Sequence, residues 1–323
     1  MKEYIIAADV GGTRLKTGLV DLEGKVFKSD VISSRANEGA ELLYQTLLNY
    51  IRQTIAEEGK KPLGIGLSLS GGIHPDKGVV LLPGKFKQLE GFPIVPKLRE
   101  ELDLPVYADN DGRLAMYEAK YFGLAKDVDW AVVLTIGTGV GSGVMLDGHI
   151  LSDPHLQFGT QMGHIIMDKS SDNLCLTGNH GTGETQCSAT ALSLQVRSAI
   201  QRGIPSILTD EYFNNPLDID FKKVIDACRL GDELCLHELD TWINNLAILM
   251  INAVHCYSPE RIILSGGATL AADLFLDRIK DIVNSRVFRY PKGEPVDIEI
   301  DENNEFSGVI GAAAFLMKKL NKI

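Results

Sequence analysis

Three glycine-rich turns each follow a short apolar run: Asp9-Val10-Gly11-Gly12-Thr13, Gly137-Thr138-Gly139-Val140-Gly141 and Ser265-Gly266-Gly267. Backbone N–H groups bare of side chains can approach a polyphosphate, and a carboxylate at a strand end, here Asp9, can orient hydrated Mg²⁺. The second turn offers the same chemistry, and Gly266-Gly267 offers a third place for a nucleotide to lie against backbone. A lone glycine turn between strands has the same composition, so the argument rests on three such loops at matching positions. The chain has no G-x-x-x-x-G-K-[ST] segment, which excludes a Walker-type nucleotide site. Asp111, directly after Asn110, is a candidate base: a helix start favours an ionised carboxylate there, although Asn and Asp are equally ordinary N-capping residues.

These loops need strands and helices to hold them. Tyr4 to Ala8, Leu15 to Val20 and Val26 to Ser33 are short apolar runs separated by glycine turns, which predicts a β-meander. The segment from Trp130 to His149 repeats that layout about 125 residues later. The echo fits two halves of like topology, each with its own sheet, and also fits a chance likeness of two hairpins. Leu42, Leu43, Leu47, Leu48, Ile51 and Ile55 place an amphipathic helix between Asn37 and Glu57. Gly64 to Gly72 reads as a buried strand entering a glycine loop. Val106 to Ala108 reads as another, with Asp109-Asn110-Asp111 capping a helix from about Gly112 to Phe122. Helices are expected at Ala189–Ile200 and Asp232–Tyr257, a strand at Arg261–Leu264, a helix from Ala271, and a small-residue helix from Phe306 to Met317.

Composition bounds the function classes. The 323 residues are 45% hydrophobic and 23% charged, an ordinary globular balance whose length suggests two domains. With 32 Lys+Arg against 43 Asp+Glu the formal net charge is −11, so no overall basic field attracts a nucleic acid backbone. Five cysteines, an odd number and few for the length, fit a reducing compartment, and cytoplasm is the expected location. Met1 to Tyr4 leads straight into a short apolar run without a signal-peptide h-region, and no run of 18 apolar residues predicts a membrane span.

The chain resembles the ROK (repressor, open reading frame, kinase) family of sugar kinases and sugar-responsive repressors, within the actin-like ATPase and hexokinase superfamily. The likeness is carried by Asp9 to Lys16, Asp109-Asn110-Asp111, Ile136 to Gly143, Gly163-His164, Gly178 to Glu184 and Leu264 to Gly267. It implies an α/β protein of two ribonuclease-H-like domains, each a mixed sheet flanked by helices, around a central cleft for ATP and sugar. The domains would be 1–112 with 306–323, closed by the C-terminal helix, and 113–305. The resemblance implies that Asp9, Gly11, Gly12, Thr13, Gly137, Thr138 and Gly139 bind the phosphates, with Gly266 and Gly267 near adenosine. Asp9 would hold Mg²⁺ through water. Asp111 would be the base for a sugar hydroxyl, and Gly71, Asn110, Asp111, Gln161, His164 and Glu184 would contact the sugar.

The chain departs from the family pattern at informative places. A Glu usually stands at 161 and is here Gln, which donates as well as accepts hydrogen bonds, so an altered sugar preference is expected. The family's structural Zn²⁺ is held by one His and three Cys. Here His164 and Cys175 remain while Thr177 and Thr182 stand at the other two positions, and a neutral hydroxyl is a poor zinc ligand. His180 and Cys187 are the residues that would complete a rewired site, but the expectation is a loop held without metal. Leu82 stands where the family often has an Asn before Pro83-Gly84, and Lys85 and Lys87 in the same loop read as exposed lysines.

The implied activity is an ATP- and Mg²⁺-dependent, glucokinase-like kinase acting on a hexose or hexose derivative. Two other classes are a transcriptional regulator and a non-catalytic sugar or nucleotide sensor. The regulator branch needs a basic DNA-reading segment ahead of the first phosphate loop, whereas Asp9 stands near the start of this sequence and the charge is acidic. The expected partners are a small-molecule sugar and ATP, without nucleic acid or membrane, and a homodimer is compatible with the family.

Overall fold

The computed structural model describes residues 3–74, 76–82, 89–152, 161–288, 294–303 and 305–323. In chain order, β1 (Ile5–Val10), β2 (Arg14–Val20) and β3 (Val26–Ser33) form the predicted meander. They are followed by α1 (Ala40–Glu58), β4 (Ile65–Leu69), a small hairpin of β5 (Gly72–His74) and β6 (Val79–Leu82), α2 (Ile94–Leu102), β7 (Val106–Asn110) and α3 (Asp111–Tyr121). The second meander is β8 (Ala131–Ile136), β9 (Val140–Leu146) and β10 (His149–Ile150). After it come α4 (Gly183–Cys187), α5 (Ala189–Gln201), α6 (Thr209–Asn214), α7 (Phe221–Arg229), α8 (Glu233–Tyr257), β11 (Arg261–Ser265), α9 (Leu276–Arg286), β12 (Asp297–Ile300) and α10 (Ser307–Lys319).

The two large sheets have the same topology. The first runs β3-β2-β1-β4-β7 and the second β10-β9-β8-β11-β12. In the first, β1 pairs antiparallel with β2 and parallel with β4, which pairs parallel with β7; in the second, β11 is parallel to both β8 and β12. The echo in the sequence is therefore a repeated sheet. Alternation in β1 divides its residues between layers: Ile6, Ala8 and Val10 join the core with Leu43, Leu47 and Ile51 of α1, while Ile5 and Ala7 join Val309, Ala312 and Leu316 of α10.

The chain divides into two compact units, Met1–Asp129 with Gly143–Thr160 and Glu305–Ile323, and Trp130–Ser142 with Gln161–Asn304. The boundary expected after Gly112 thus falls after Asp129. Physically, α3 belongs with the first unit because it packs on α10. A Cβ on Gly311 would collide with the carbonyl of Leu114, and the Tyr117 and Phe315 rings stand 5.1 Å apart. Gly143 joins the same unit because a Cβ there would lie 2.6 Å from Met116 and 2.7 Å from the Gly112 carbonyl. Glycine and alanine along α10 permit that approach, and the helix buries ten residues from Ser307 to Met317.

In the second unit α8 forms the spine. Asp232 caps it, its Trp242 is fully buried, and the indole N–H donates to the Ser188 carbonyl at 3.0 Å. The helix expected from Ala271 is instead a 3-10 segment, Gly267–Leu274, broken by non-helical dihedrals at Ala271, and α9 begins at Leu276. Thr269 causes the tightening: its N–H and its hydroxyl both return to the Gly266 carbonyl, at 3.0 and 2.8 Å. Among the described residues no helix is long and apolar enough to cross a membrane.

Candidate functional site

In the first unit, parallel register sets Asp9 beside Ser68 and Ser68 beside Asp109 at the carboxyl ends of β1, β4 and β7. Open α/β sheets bind ligands beyond that end. The Ser68 hydroxyl donates to Asp9 Oδ1 at 2.7 Å, and Ser68 is fully buried. The first turn of α10 reaches the same carboxylate: a Cβ on Gly308 would lie 2.8 Å from Asp9 Cγ. The loop is a tight turn braced from outside, with the Gly11 N–H donating to the Arg14 carbonyl at 2.9 Å and the Ser34 hydroxyl to the Gly12 carbonyl at 3.0 Å. Thr13 is exposed and Gly12 half-buried, so both can meet a ligand. Lys16 is half-buried, and its ammonium donates to the Glu305 carbonyl at 3.1 Å.

At the end of β7, Asn110 is the N-cap of α3. Its Oδ1 accepts from the N–H of Gly112 at 3.0 Å and of Arg113 at 3.3 Å, and its Nδ2 donates to the Gly71 carbonyl at 2.8 Å. Gly71, with φ 98°, turns its carbonyl to that amide, so the glycine loop after β4 is pinned to the strand–helix junction. Asp111 is the first residue of α3 and half-buried, with Oδ1 accepting from the Gly112 N–H at 2.8 Å. The capping reading of Asn110 is thus realised, and it leaves Asp111 in the helix's first turn. Sequence reasoning missed the pair that locks this junction. Arg113 Nη1 donates to Asp109 Oδ1 and Oδ2 at 2.8 and 3.0 Å, and the Asn110 N–H donates to Oδ1 at 2.7 Å. Burial pushes the Asp109 carboxyl up, opposed by the Arg113 guanidinium and the Asn110 N–H. The signal was present as opposite charges at i and i+4.

In the second unit the Gly137 N–H donates to the Gly139 carbonyl at 3.0 Å, closing the second loop. A Cβ on Gly266 would lie 2.6 Å from the Ile136 carbonyl, so Gly266 sits against the strand end that leads into this loop. Gln161 is exposed and opens a 3-10 turn, Met162–His164, in which the His164 N–H donates to the Gln161 carbonyl at 3.0 Å. His164 is half-buried, and its Nδ1 is buried without a hydrogen-bond partner among the described residues. The Met162 N–H donates to the Ser142 hydroxyl at 3.2 Å, and the Gly183 N–H to the Ile165 carbonyl at 2.9 Å. These bonds bring His164, Glu184 and the second loop into one region of the unit. A cavity of about 440 Å³ takes in Thr138, Glu184, Ser188, Gln195 and Arg202, but not Gly266 or Gly267.

The residues at the family's zinc position do not fit that metal. Among the described residues no three His, Cys, Asp or Glu side chains converge as ligands. The Thr177 hydroxyl is engaged by Cys175 Sγ at 2.9 Å and by Asn179 Nδ2 at 3.1 Å. Cys187 is fully buried and donates to the Gly183 carbonyl at 2.9 Å, with burial pushing its thiol up. Burial also acts on Cys175, but hydrogen bonds from Thr177, the Asn179 backbone and Thr182 outweigh it and bring that thiol down. His180 is exposed. Bridges pairing Ile166 with Thr182 and Leu174 with His180 hold the loop by backbone instead. Pro83, Gly84, Lys85 and Lys87 lie outside the described residues.

Two like sheets of meander-plus-parallel topology, each flanked by helices, define an actin-like ATPase fold. The ROK family profile matches residues 5–319, and the chain belongs to the ROK family. Its sequence is 26% identical over 321 residues to the glucokinase of Thermotoga maritima, covering 99% of both chains. It is 25% identical over 321 residues to the xylose repressor of Caldicellulosiruptor bescii, covering 98% of this chain and 78% of the repressor. Its fold matches that of a ROK family glucokinase from Streptomyces griseus in complex with glucose and AMPPNP. The TM-score is 0.81 at 22% identity, over 96% of this chain and 98% of the glucokinase.

Proposed function

We propose that the chain is a cytoplasmic ATP-dependent sugar kinase that transfers the γ-phosphate to a hydroxyl of a hexose or hexose derivative. The observation that carries this reading is the half-buried Asp111 carboxylate in the first turn of α3, held at a junction that Asn110 caps and ties to Gly71. Asp111 takes the proton of the attacking hydroxyl, and that oxygen displaces ADP from the γ-phosphorus. The loops Gly11-Gly12-Thr13 and Gly137-Thr138-Gly139 hold the phosphates, their turns closed by the Gly11 and Gly137 N–H groups, and Gly266 and Gly267 flank the nucleoside. The hard oxygens of Asp9 suit Mg²⁺ bound through water, which when present neutralises phosphate charge. Gly71, Asn110, Gln161, His164 and Glu184 orient the sugar, and the His164 Nδ1, which has no hydrogen-bond partner among the described residues, is matched to a hydroxyl.

The test is ADP release with Mg·ATP across hexoses, N-acetylhexosamines and β-glucosides. One sugar should give turnover that Asp111→Asn lowers by about 10²–10⁴-fold. Sugar-independent ADP release, or full activity in Asp111→Asn, would refute the assignment.

The likeness to the xylose repressor across 98% of this chain favours a second reading, a regulator body that binds sugar without turning it over. A sugar that raises the melting temperature while no sugar in the panel releases ADP would select it.

A further inference from the structure

Glu184 has so far been given one task, contact with sugar. Its carboxylate is already engaged: Oε2 accepts from the Val140 N–H at 3.2 Å, inside the second phosphate loop. Gly139 makes room for this, because a Cβ there would collide with the same oxygen. The backbone that carries Glu184 grips the loop at a second point. The Ser188 N–H donates to the Glu184 carbonyl at 3.2 Å, and the next residue, Ala189, donates its N–H to the Gly137 carbonyl at 2.9 Å. Thr138 and Glu184 also line one cavity. The loop is therefore held at Gly137 and at Val140, with Thr138 and Gly139 spanning the interval.

We infer that Glu184 is also a positioning residue for the second phosphate loop, so that nucleotide binding depends on this carboxylate even when no sugar is bound. The inference rests on the proposed reading that Gly137, Thr138 and Gly139 hold the nucleotide's phosphates. A charge-assisted hydrogen bond to a backbone amide is among the stronger ones a side chain makes. A carboxylate has acceptor capacity for a sugar hydroxyl and the Val140 amide together. Its negative charge beside a phosphate site acts in the opposite sense, by repelling the ligand. The two effects separate by substitution, because Gln keeps an acceptor and removes the charge, whereas Ala removes both.

The experiment measures the dissociation constant of Mg·ADP without sugar for the parent, Glu184→Gln, Glu184→Ala and Gly139→Ala, each checked for folding by its melting temperature. Positioning predicts that Glu184→Gln binds within about threefold of the parent or more tightly, while Glu184→Ala weakens binding by about tenfold. Gly139→Ala should behave like Glu184→Ala, because the added methyl pushes the carboxylate aside. A residue that served the sugar alone would leave the parent and both Glu184 variants with equal constants, and a purely electrostatic one would tighten Gln and Ala alike. Either pattern overturns the inference. Hydrogen exchange at the Val140 amide reads the same bond without any ligand: protection should persist in Glu184→Gln and fall by about tenfold in Glu184→Ala. Equal protection overturns the inference. If the parent binds no Mg·ADP, the nucleotide reading and the dependence built on it both fail, and exchange still decides whether Glu184 holds the loop.

Discussion

Arg113 Nη1 lies 2.8 Å from Asp109 Oδ1, with side-chain exposures of 0% and 1%, and the two residues bracket Asn110 and Asp111. The pair fastens the end of β7 to the first turn of α3 on either side of the proposed base. Taking both charges out of water is costly, so the contact is better read as a geometric lock than as net stabilisation. Arg113 Nε and Nη2 have no protein hydrogen-bond partner among the described residues, which adds to that cost.

The two halves of this pair should tolerate loss unequally. Asp109→Asn leaves a guanidinium that cannot lose its proton in an apolar setting, and is expected to cost about 3–5 kcal/mol. Arg113→Met leaves Asp109, whose carboxyl burial already pushes up and which can take a proton. With its folded pKa above the unfolded value of about 3.9, Asp109 penalises that variant least at low pH, and its favourable contribution is lost as pH rises through the folded pKa. Urea unfolding at pH 5, 7 and 8 checks both statements. Equal losses for the two variants, with no pH trend in Arg113→Met, would count against them.

Much of this was legible in the sequence. The twin meanders, α1, α5, α8 and α10 announced themselves through alternation, helical spacing and small residues. The loops around Asp9 and Gly137 followed from glycines after apolar runs. The hairpin of β5 and β6, the short helices α2, α4, α6 and α7, and β12 were not anticipated. They are brief elements whose stability comes from neighbours distant in sequence, and α2 carries Pro96 in its first turn, which reads locally as a break. For the candidate site, residue identity was readable but pairing was not. That Ser68 serves Asp9, or that Glu184 serves Val140, depends on strand register and on a contact spanning 44 residues.

Ser68 gives a second prediction. Ser68→Ala removes the 2.7 Å hydrogen bond to Asp9 Oδ1 at a fully buried position without changing the strand. The expected stability loss is about 1 kcal/mol. Asp9 would then be less well oriented, so the Mg²⁺ concentration needed for half-maximal turnover should rise while the sugar KM stays near the parental value. A rise in the sugar KM alone would show that Ser68 acts elsewhere.

The loop from Cys175 to Thr182 should fold without metal. Purified protein is expected to carry well under one zinc per chain, and chelators should leave its melting temperature unchanged. Cys175→Ser should cost no more than about 1–2 kcal/mol, because Thr177, Asn179 and the backbone bridges remain. Stoichiometric zinc, or a melting temperature that collapses with chelator, would overturn this account and reinstate a metal ligand set around His164 and Cys175.

Asp232 gives the second unit an acid-sensitive helix cap. It caps the 25-residue α8 through Oδ1, which accepts from the Cys235 N–H at 2.8 Å, and its Oδ2 accepts from the Ile207 N–H at 2.7 Å. Burial disfavours its charge, but these backbone donors outweigh burial and draw its carboxyl below the usual range. A depressed folded pKa contributes stability above the unfolded value of about 3.9, and that contribution is lost as pH falls through the folded pKa. Asp232→Asn keeps only one acceptor oxygen and leaves one N–H facing an amide NH₂, a loss of about 1–3 kcal/mol at pH 7. As pH falls through the depressed folded pKa the parental Asp232 takes up a proton, and the gap between the two proteins should narrow. Thermal unfolding of both at pH 7, 5 and 3 measures that gap, and a gap constant across the series would show that the cap acts through shape and not through charge.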